Sequence, residues 1–320
     1  MFDPAGLWSS AVAVVCVALM GLAIQRGGTC TVAAVEEMLS QRRAYRLGAM
    51  LDASLWVAGG LALASLGGIA GGMPGSYAVN RWTFIGGALL GLGAWVNGSC
   101  VFGTVAKIGS GDWAYSLTPL GYFLGCWVLA DAGLAAAMPA NSPSPTLHAA
   151  LVVGPLFLVY AIWRIAPALR GPALWWTPHN ATVTIGITFV ITLLVAGRWS
   201  YTEALSDLAQ AMGQAGRQML GLPLLLVLAL FGGAMLGGSQ GALKDRPAVT
   251  AKALARCLAG GLLMGAGGSL IPGSNDGLIL VGLPLLRPYA WLAFATMCAT
   301  IALAIGLQRR WSQRSPARAA

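Results

Sequence analysis

Asn97-Gly98-Ser99-Cys100-Val101-Phe102-Gly103-Thr104 interrupts an apolar sequence with a glycine turn and small polar side chains, after which the apolar character resumes. The run before it, 82–97, is short for a bilayer span, which takes about 20 apolar residues. Together these features predict a helix that is broken or tilted at membrane depth. Non-helical backbone there must be buried in protein or line a watery cavity. Two other stretches have the same character: Gln25-Arg26-Gly27-Gly28-Thr29-Cys30-Thr31 and Pro272-Gly273-Ser274-Asn275-Asp276-Gly277. Each ends an apolar run, and each is placed to begin a short helix.

The rest of the chain has the composition of a protein dissolved in lipid. Of its 320 residues, 57% are hydrophobic and 9% charged, whereas a soluble domain is typically about 25% charged. Mean hydropathy is +0.74, which leaves too little polar surface to cover a soluble core. Nine apolar runs are expected to span: 7–25, 47–68, 82–97, 116–137, 148–166, 181–197, 219–236, 253–271 and 288–307. No cleavable signal peptide is expected, because the first run lacks a basic leader and further spans follow it. The 44 glycines suit close helix approach.

The net charge of +9 does not form a nucleic-acid patch, because the bases sit at the ends of apolar runs. With nine spans, fifteen of the nineteen Lys and Arg residues fall on one side, among them Arg26, Arg42, Arg43, Arg46, Lys107, Arg164, Lys252, Arg256 and Arg309; Arg81, Arg198, Arg217 and Arg287 fall on the other. The positive-inside rule then puts the N-terminus outside and the C-terminus in the cytoplasm of a bacterial-type inner membrane. Residues 311–320 read as a basic cytoplasmic tail in contact with anionic lipid.

An internal echo accompanies the breaks. Leu92-Gly93-Ala94 followed by Gly98-Ser99-Cys100 resembles Met264-Gly265-Ala266 followed by Gly273-Ser274-Asn275-Asp276. Gln25 to Met38 likewise resembles Gly197-Arg198-Trp199-Ser200 to Leu208. A repeat over about 7–137, a linking helix over 148–166 and a second repeat over 181–307 would start five spans apart, and an odd offset inverts one copy. Inverted repeats with interrupted helices hold a solute at their interface, near the midplane. The expected fold is therefore an all-α polytopic membrane protein of about nine helices, with short re-entrant pieces and an hourglass-like form.

The chemistry-bearing residues cluster at the breaks. A helix N-terminus offers unpaired N–H groups and partial positive charge to an anion. Cys30, Cys100 and Ser274 occupy such positions, accompanied by Gly98, Ser99, Gly273 and Asn275, and together they make a candidate anion path. Asp52 and Asp131 lie inside apolar runs, where a carboxylate is expensive and suggests function. They and Asp276 are candidates for a proton site or a structural role, and Asp276 also for a helix cap. Cys16, Cys126, Cys257 and Cys298 suit helix packing. His148, His179 and the pair Trp175-Trp176 suit the interface. Asn97 suits a turn-fixing role. No phosphate-binding loop, zinc spacing or nucleophile elbow is present, so no cofactor, metal site or nucleic-acid partner is expected.

Three segments, 25–31, 91–111 and 264–284, carry a resemblance to the YeeE/YedE sulfur-transport family. It lies in Gly91-Leu92-Gly93-Ala94, Gly98-Ser99-Cys100-Val101-Phe102-Gly103, Gly109-Ser110-Gly111, the turn 272–276 and Gly282-Leu283-Pro284. The resemblance implies uptake of thiosulfate or a related sulfur anion through an hourglass of inverted repeats, along a short path lined by cysteine. Cys30 and Cys100 match cysteine positions of the family, and Ser274 stands where the pattern usually has a third cysteine. A hydroxyl still donates a hydrogen bond to an oxyanion, but it forms no disulfide or persulfide, so only a hydrogen-bond relay survives the change. The resemblance also implies a cytoplasmic sulfur carrier of the TusA-like type as partner. A membrane-embedded sulfurtransferase, passing sulfur from a reactive thiolate to such a carrier, and a membrane subunit of a larger complex are the alternatives.

Overall fold

A computed structural model describes residues 4–69, 75–134, 144–166, 176–213, 221–239, 247–271 and 273–314. All regular structure among them is helical. α1 (Pro4–Gly27) stops where Gly28 turns left-handed at φ 58°, and α2 (Thr31–Gln41) starts after an extended Cys30. α3 (Tyr45–Leu66) follows. α4 (Arg81–Asn97) begins in a capping box, in which the Asn80 side chain accepts from the Trp82 amide at 2.9 Å and the Asn80 amide donates to Thr83 Oγ1 at 3.2 Å. That reciprocal pairing satisfies backbone groups that a helix end otherwise leaves open. α4 ends at Gly98, with φ 76°. A side chain disfavours that conformation, so the glycine fixes the break that the sequence announced. α5 (Val101–Gly109) resumes beyond it.

A 3₁₀ turn (Trp113–Ser116) leads into α6 (Leu117–Asp131), and α7 (Pro145–His148) precedes α8 (Ala150–Ile165). α9 (Pro178–Ala196) has Thr177 as its N-cap and proline in its first turn, where the missing N–H costs nothing. α10 (Tyr201–Gly213), α11 (Gly221–Gly238) and α12 (Ala251–Leu270) come next. α13 (Ser274–Gly277) passes into a π turn (Leu278–Gly282), and α14 (Pro288–Arg314) ends the described chain.

Among the described residues, seven helical segments are long and apolar enough to cross a bilayer. The two expected spans that fall short are α6, with 15 residues, and α8, with 16. α6 stops because Gly133 turns left-handed at φ 68°, and 135–137 lie outside the described residues. α8 points Leu151, Leu156, Val159, Ile162 and Trp163 outward, each at least 64% exposed, as a helix bathed in lipid does. The chain is a multi-pass membrane protein. α14 continues through Trp311 to Arg314, into the stretch read as a basic tail, and residues 315–320 lie outside the described part.

The packing pattern repeats across the two halves. α1 lies on α11, and α3 on α9; α12 lies on α6, and α4 on α14. α1 also meets α9, and α4 meets α12. Exchanging α1, α3, α4 and α6 for α9, α11, α12 and α14 leaves these pairings unchanged. Glycine permits the central contact. A methyl on Gly93 would fall 2.7 Å from the Met264 nitrogen, and one on Gly260 would fall 2.7 Å from the Asn97 nitrogen. In lipid, where apolar side chains gain little by leaving their solvent, such backbone approach supplies much of the cohesion.

Candidate functional site

Four helix interruptions meet in the middle of this arrangement. The Thr31 amide, at the first position of α2, donates to the Cys100 sulfur at 3.1 Å. The Thr31 hydroxyl reaches Asn275 Oδ1 at 3.4 Å. The Cys30 thiol and the Ser99 hydroxyl lie 3.6 Å apart, and either can donate. The Tyr201 hydroxyl donates to the Val101 carbonyl at 3.2 Å, tying α10 to α5. The Thr202 hydroxyl donates to Asp276 Oδ1, and the Thr202 amide donates to Oδ2 at 3.4 Å. Thr31, Ser99, Cys100, Thr202, Ser274, Asn275 and Asp276 are all buried, while Cys30 is partly open.

Each side chain is held by its local sequence. Asn97 fixes the turn that presents Ser99 and Cys100. Its Nδ2 donates to the Ser99 carbonyl at 2.8 Å and to Thr104 Oγ1 at 3.1 Å, and its Oδ1 accepts from the Thr118 hydroxyl at 2.9 Å. Gly98 lies beside the Tyr115 hydroxyl and the Arg256 guanidinium, which donates to that hydroxyl at 3.3 Å. Burial pushes the Tyr115 phenol up to about 12 against the opposing pull of Arg256, so the phenol keeps its proton. Gly273, at φ 92°, delivers Ser274, whose own φ of 44° is left-handed. A non-glycine residue held there costs of order 1–3 kcal/mol, and such strain concentrates at functional sites.

Two buried polar atoms in this cluster have no hydrogen bond: Asn275 Nδ2 and Ser274 Oγ. The Ser274 hydroxyl lies beside the Tyr122 hydroxyl, without proper bonding geometry. Buried polar groups are nearly always paired, so two unsatisfied donors side by side suit an acceptor that arrives from outside. Phe102, Trp199, Ser200, Tyr201 and Asp276 line a narrow cavity with Met20 and Ile24.

The structure thus brings Cys30, Ser99, Cys100 and Asn275 together through Thr31, and it sets Gly98, Gly273, Ser274 and Asp276 around them. Asp52 and Asp131 are elsewhere. Asp52 accepts from the Tyr160 hydroxyl at 2.6 Å and meets His179 Nδ1 at 3.2 Å. This joins α3, α8 and α9, so His179 is a packing partner of a buried carboxylate as well as a helix-end residue. Asp131 is exposed at the end of α6. His148 Nδ1 lies 3.1 Å from the Ser144 carbonyl. Arg26 stands 5.9 Å over the Trp176 ring, a contact beyond a purely interfacial role; Trp175 lies outside the described residues. Cys16, Cys126 and Cys257 are buried between helices, and Cys298 partly so.

Thr31, Tyr201 and Thr202 were not singled out in the sequence. Threonine and tyrosine are ordinary interior residues of membrane helices, and composition does not mark them. The one signal was the echo between 25–38 and 197–208, which implied a fourth break and attached no chemistry to it.

Curated proteins offer no significant match to the chain. A family model described as sulphur transport matches residues 26–303. That span takes in all four interruptions and nearly every membrane helix, and so the chain belongs to the YeeE/YedE sulphur-transport family.

Proposed function

We propose that this protein is an inner-membrane permease for thiosulfate, passed along a short path through Cys30, Ser99, Cys100, Asn275 and Ser274. The observation that carries the proposal is the meeting of interrupted helices around two adjacent thiols and two buried, unsatisfied donors. A small anion needs donors more than it needs a counter-charge, because amides and hydroxyls in a dry site bind it without a fixed cation. Thiols and hydroxyls hand the ion on by hydrogen bonding, and Ser274 serves in that role as well as a cysteine does. Gly98 and Gly273 let the backbone come close.

In this reading, segments 7–137 and 181–307 are inverted copies flanking 148–166, with the N-terminus outside and the basic C-terminus in the cytoplasm. The exchange pattern of helix contacts supports it. A TusA-like carrier would meet the basic cytoplasmic loops and take the sulfur onward.

Purified protein in liposomes, supplied with labelled thiosulfate and with sulfate, sulfite and selenium oxyanions as competitors, tests the proposal. Uptake that is competed by none of these more strongly than by unlabelled thiosulfate, and that falls at least about tenfold in Cys100→Ala, is expected; tenfold corresponds to about 1.4 kcal/mol. Absence of uptake, or equal uptake in the variant, would refute it. The adjacency of Cys30 and Cys100 also suits a sulfurtransferase. A persulfide trapped on either thiol in the absence of solute accumulation would favour that reading.

A further inference from the structure

We propose that Asp276 carries a proton inward with each anion, so that uptake is driven by the proton gradient. The inference rests on the permease reading above and adds its energy source.

Asp276 is buried and directly follows Asn275, whose amide donor has no partner. An anion held by Asn275 and Ser274 therefore sits beside a carboxylate. Among the described residues, no lysine or arginine forms an ion pair with Asp276. Its oxygens are held by neutral donors only: the Thr202 hydroxyl, the Thr202 amide and the Gly277 amide at 3.0 Å. The same carboxylate faces the cavity lined by Phe102, Ser200 and Tyr201.

The titratable groups that face it are acids, and one of them, Glu203, is paired with Arg198 at 2.8 Å. α10 presents Tyr201 and Glu203, α6 presents Tyr122, and Cys100 at the start of α5 lies across Tyr201. α12 carries its titratable groups Lys252, Arg256 and Cys257 near its other end, and the π turn Leu278–Gly282 has none. Arg198 is taken up by Glu203, and among the described residues no ion pair joins a cation to Asp276 to offset a second negative charge. Two like charges in a site of low dielectric constant do not both persist, and the carboxylate takes up a proton when the second arrives. As a neutral acid, Asp276 still accepts from Thr202, and its own O–H becomes one more donor. The balance is simple. A proton from the outer solution binds the carboxylate, the anion passes, and the proton leaves on the inner side. No bond to sulfur forms or breaks; one proton accompanies each anion, so thiosulfate, a dianion, enters with one negative charge left over, and the pH difference supplies the drive.

The test uses full-length protein in liposomes loaded with a pH-sensitive dye and supplied with labelled thiosulfate. In the unaltered protein, thiosulfate uptake should acidify the lumen, and an alkaline lumen should raise accumulation severalfold. Thiosulfate flux with no lumen acidification would overturn the coupling and leave the permease reading standing. Absence of flux would overturn both. Asp276→Asn keeps an acceptor for Thr202, and the ratio of protons to thiosulfate moved should fall to zero in it. An unchanged ratio in Asp276→Asn would assign the proton to another group and overturn the role of Asp276 as its carrier. Should that variant fail to assemble, the measurement on the unaltered protein still decides whether coupling exists, and Asp276→Glu, which keeps the carboxylic acid, should retain a non-zero ratio; a ratio of zero there, with thiosulfate still moving, would also count against Asp276 as the carrier.

Discussion

Gly103 lies flush against Cys30: a methyl group added to Gly103 would fall 2.6 Å from the Cys30 sulfur and 2.9 Å from its Cβ. The same methyl would overlap the Ser99 hydroxyl, and no real pair of such atoms comes that close, so Gly103→Ala must displace both Cys30 and Ser99 and disturb their contact. Overpacking of this kind costs about 1–3 kcal/mol, which in binding terms is roughly fivefold to a hundredfold. Thiosulfate uptake by Gly103→Ala is expected to fall by about that factor while Cys30 itself is intact. Thermal stability and uptake should be measured on the same preparation. A stable variant with normal uptake would show that the placement of Cys30 against Ser99 is unimportant to the path.

Ser274 separates a hydrogen-bond relay from covalent sulfur chemistry. Its hydroxyl is buried and unsatisfied. Ser274→Ala removes the donor and should lower uptake roughly fivefold, since a net hydrogen bond is worth about 1 kcal/mol. Ser274→Cys restores a donor of similar size and should stay within about twofold of the unaltered protein, less than ~0.5 kcal/mol. A large gain in Ser274→Cys alone would show that the thiol matters as a nucleophile. Equal uptake in all three forms would remove Ser274 from the path.

How far the fold could be seen in advance follows from what glycine and charge can signal. The breaks at Gly28, Gly98 and Gly273 were legible, because a glycine followed by small polar residues inside an apolar sequence has few other uses. The residues presented at those breaks were legible too, since thiols and hydroxyls stand out in a stretch otherwise made of Ala, Leu and Gly. The clasp between Thr202 and Asp276 joins residues 74 apart, and no local pattern announces such a pairing. The length of α6 was overstated because hydropathy continues past the point where Gly133 ends the helix, whereas α8 lies within two residues of the expected run. The different fates of Asp52 and Asp276 were also hidden. Both are acids in apolar surroundings, and only the fold puts Tyr160 and His179 around one and the candidate path beside the other.

Asp52 is expected to act as a clamp and not as part of transport. Its two oxygens join Tyr160 on α8 and His179 on α9. Asp52→Asn keeps an acceptor for Tyr160 and offers an N–H to His179, and uptake by it should stay within about twofold, less than ~0.5 kcal/mol. Asp52→Leu strands both partners and should destabilise the protein by about 1–3 kcal/mol, seen as a lower Tm in detergent. Loss of uptake in a stable Asp52→Asn would instead make this carboxylate a second proton site.

Asn97 is the node on which the Cys100 turn depends, and its removal should cost more than a typical contact between membrane helices. Interhelical hydrogen bonds in a bilayer average only about 0.6 kcal/mol, because the separated helices find other partners. Asn97 differs in that all three of its bonds are buried and run in different directions, to the Ser99 carbonyl, Thr104 and Thr118. Asn97→Ala leaves the Ser99 carbonyl and both hydroxyls without this partner, at about 1–3 kcal/mol for a buried group so stranded. It also frees the turn that holds Cys100 against the Thr31 amide. Asn97→Asp, the nearest isostere, keeps the acceptor for Thr118 and sets a carboxylate oxygen against the Ser99 carbonyl, so it should fare no better. Both variants should show a lower Tm and faster reaction of Cys100 with a membrane-permeant thiol reagent, because a loosened turn uncovers a sulfur that is otherwise buried. If Cys100 remains equally protected in Asn97→Ala, the turn is held by backbone alone and Asn97 is a bystander.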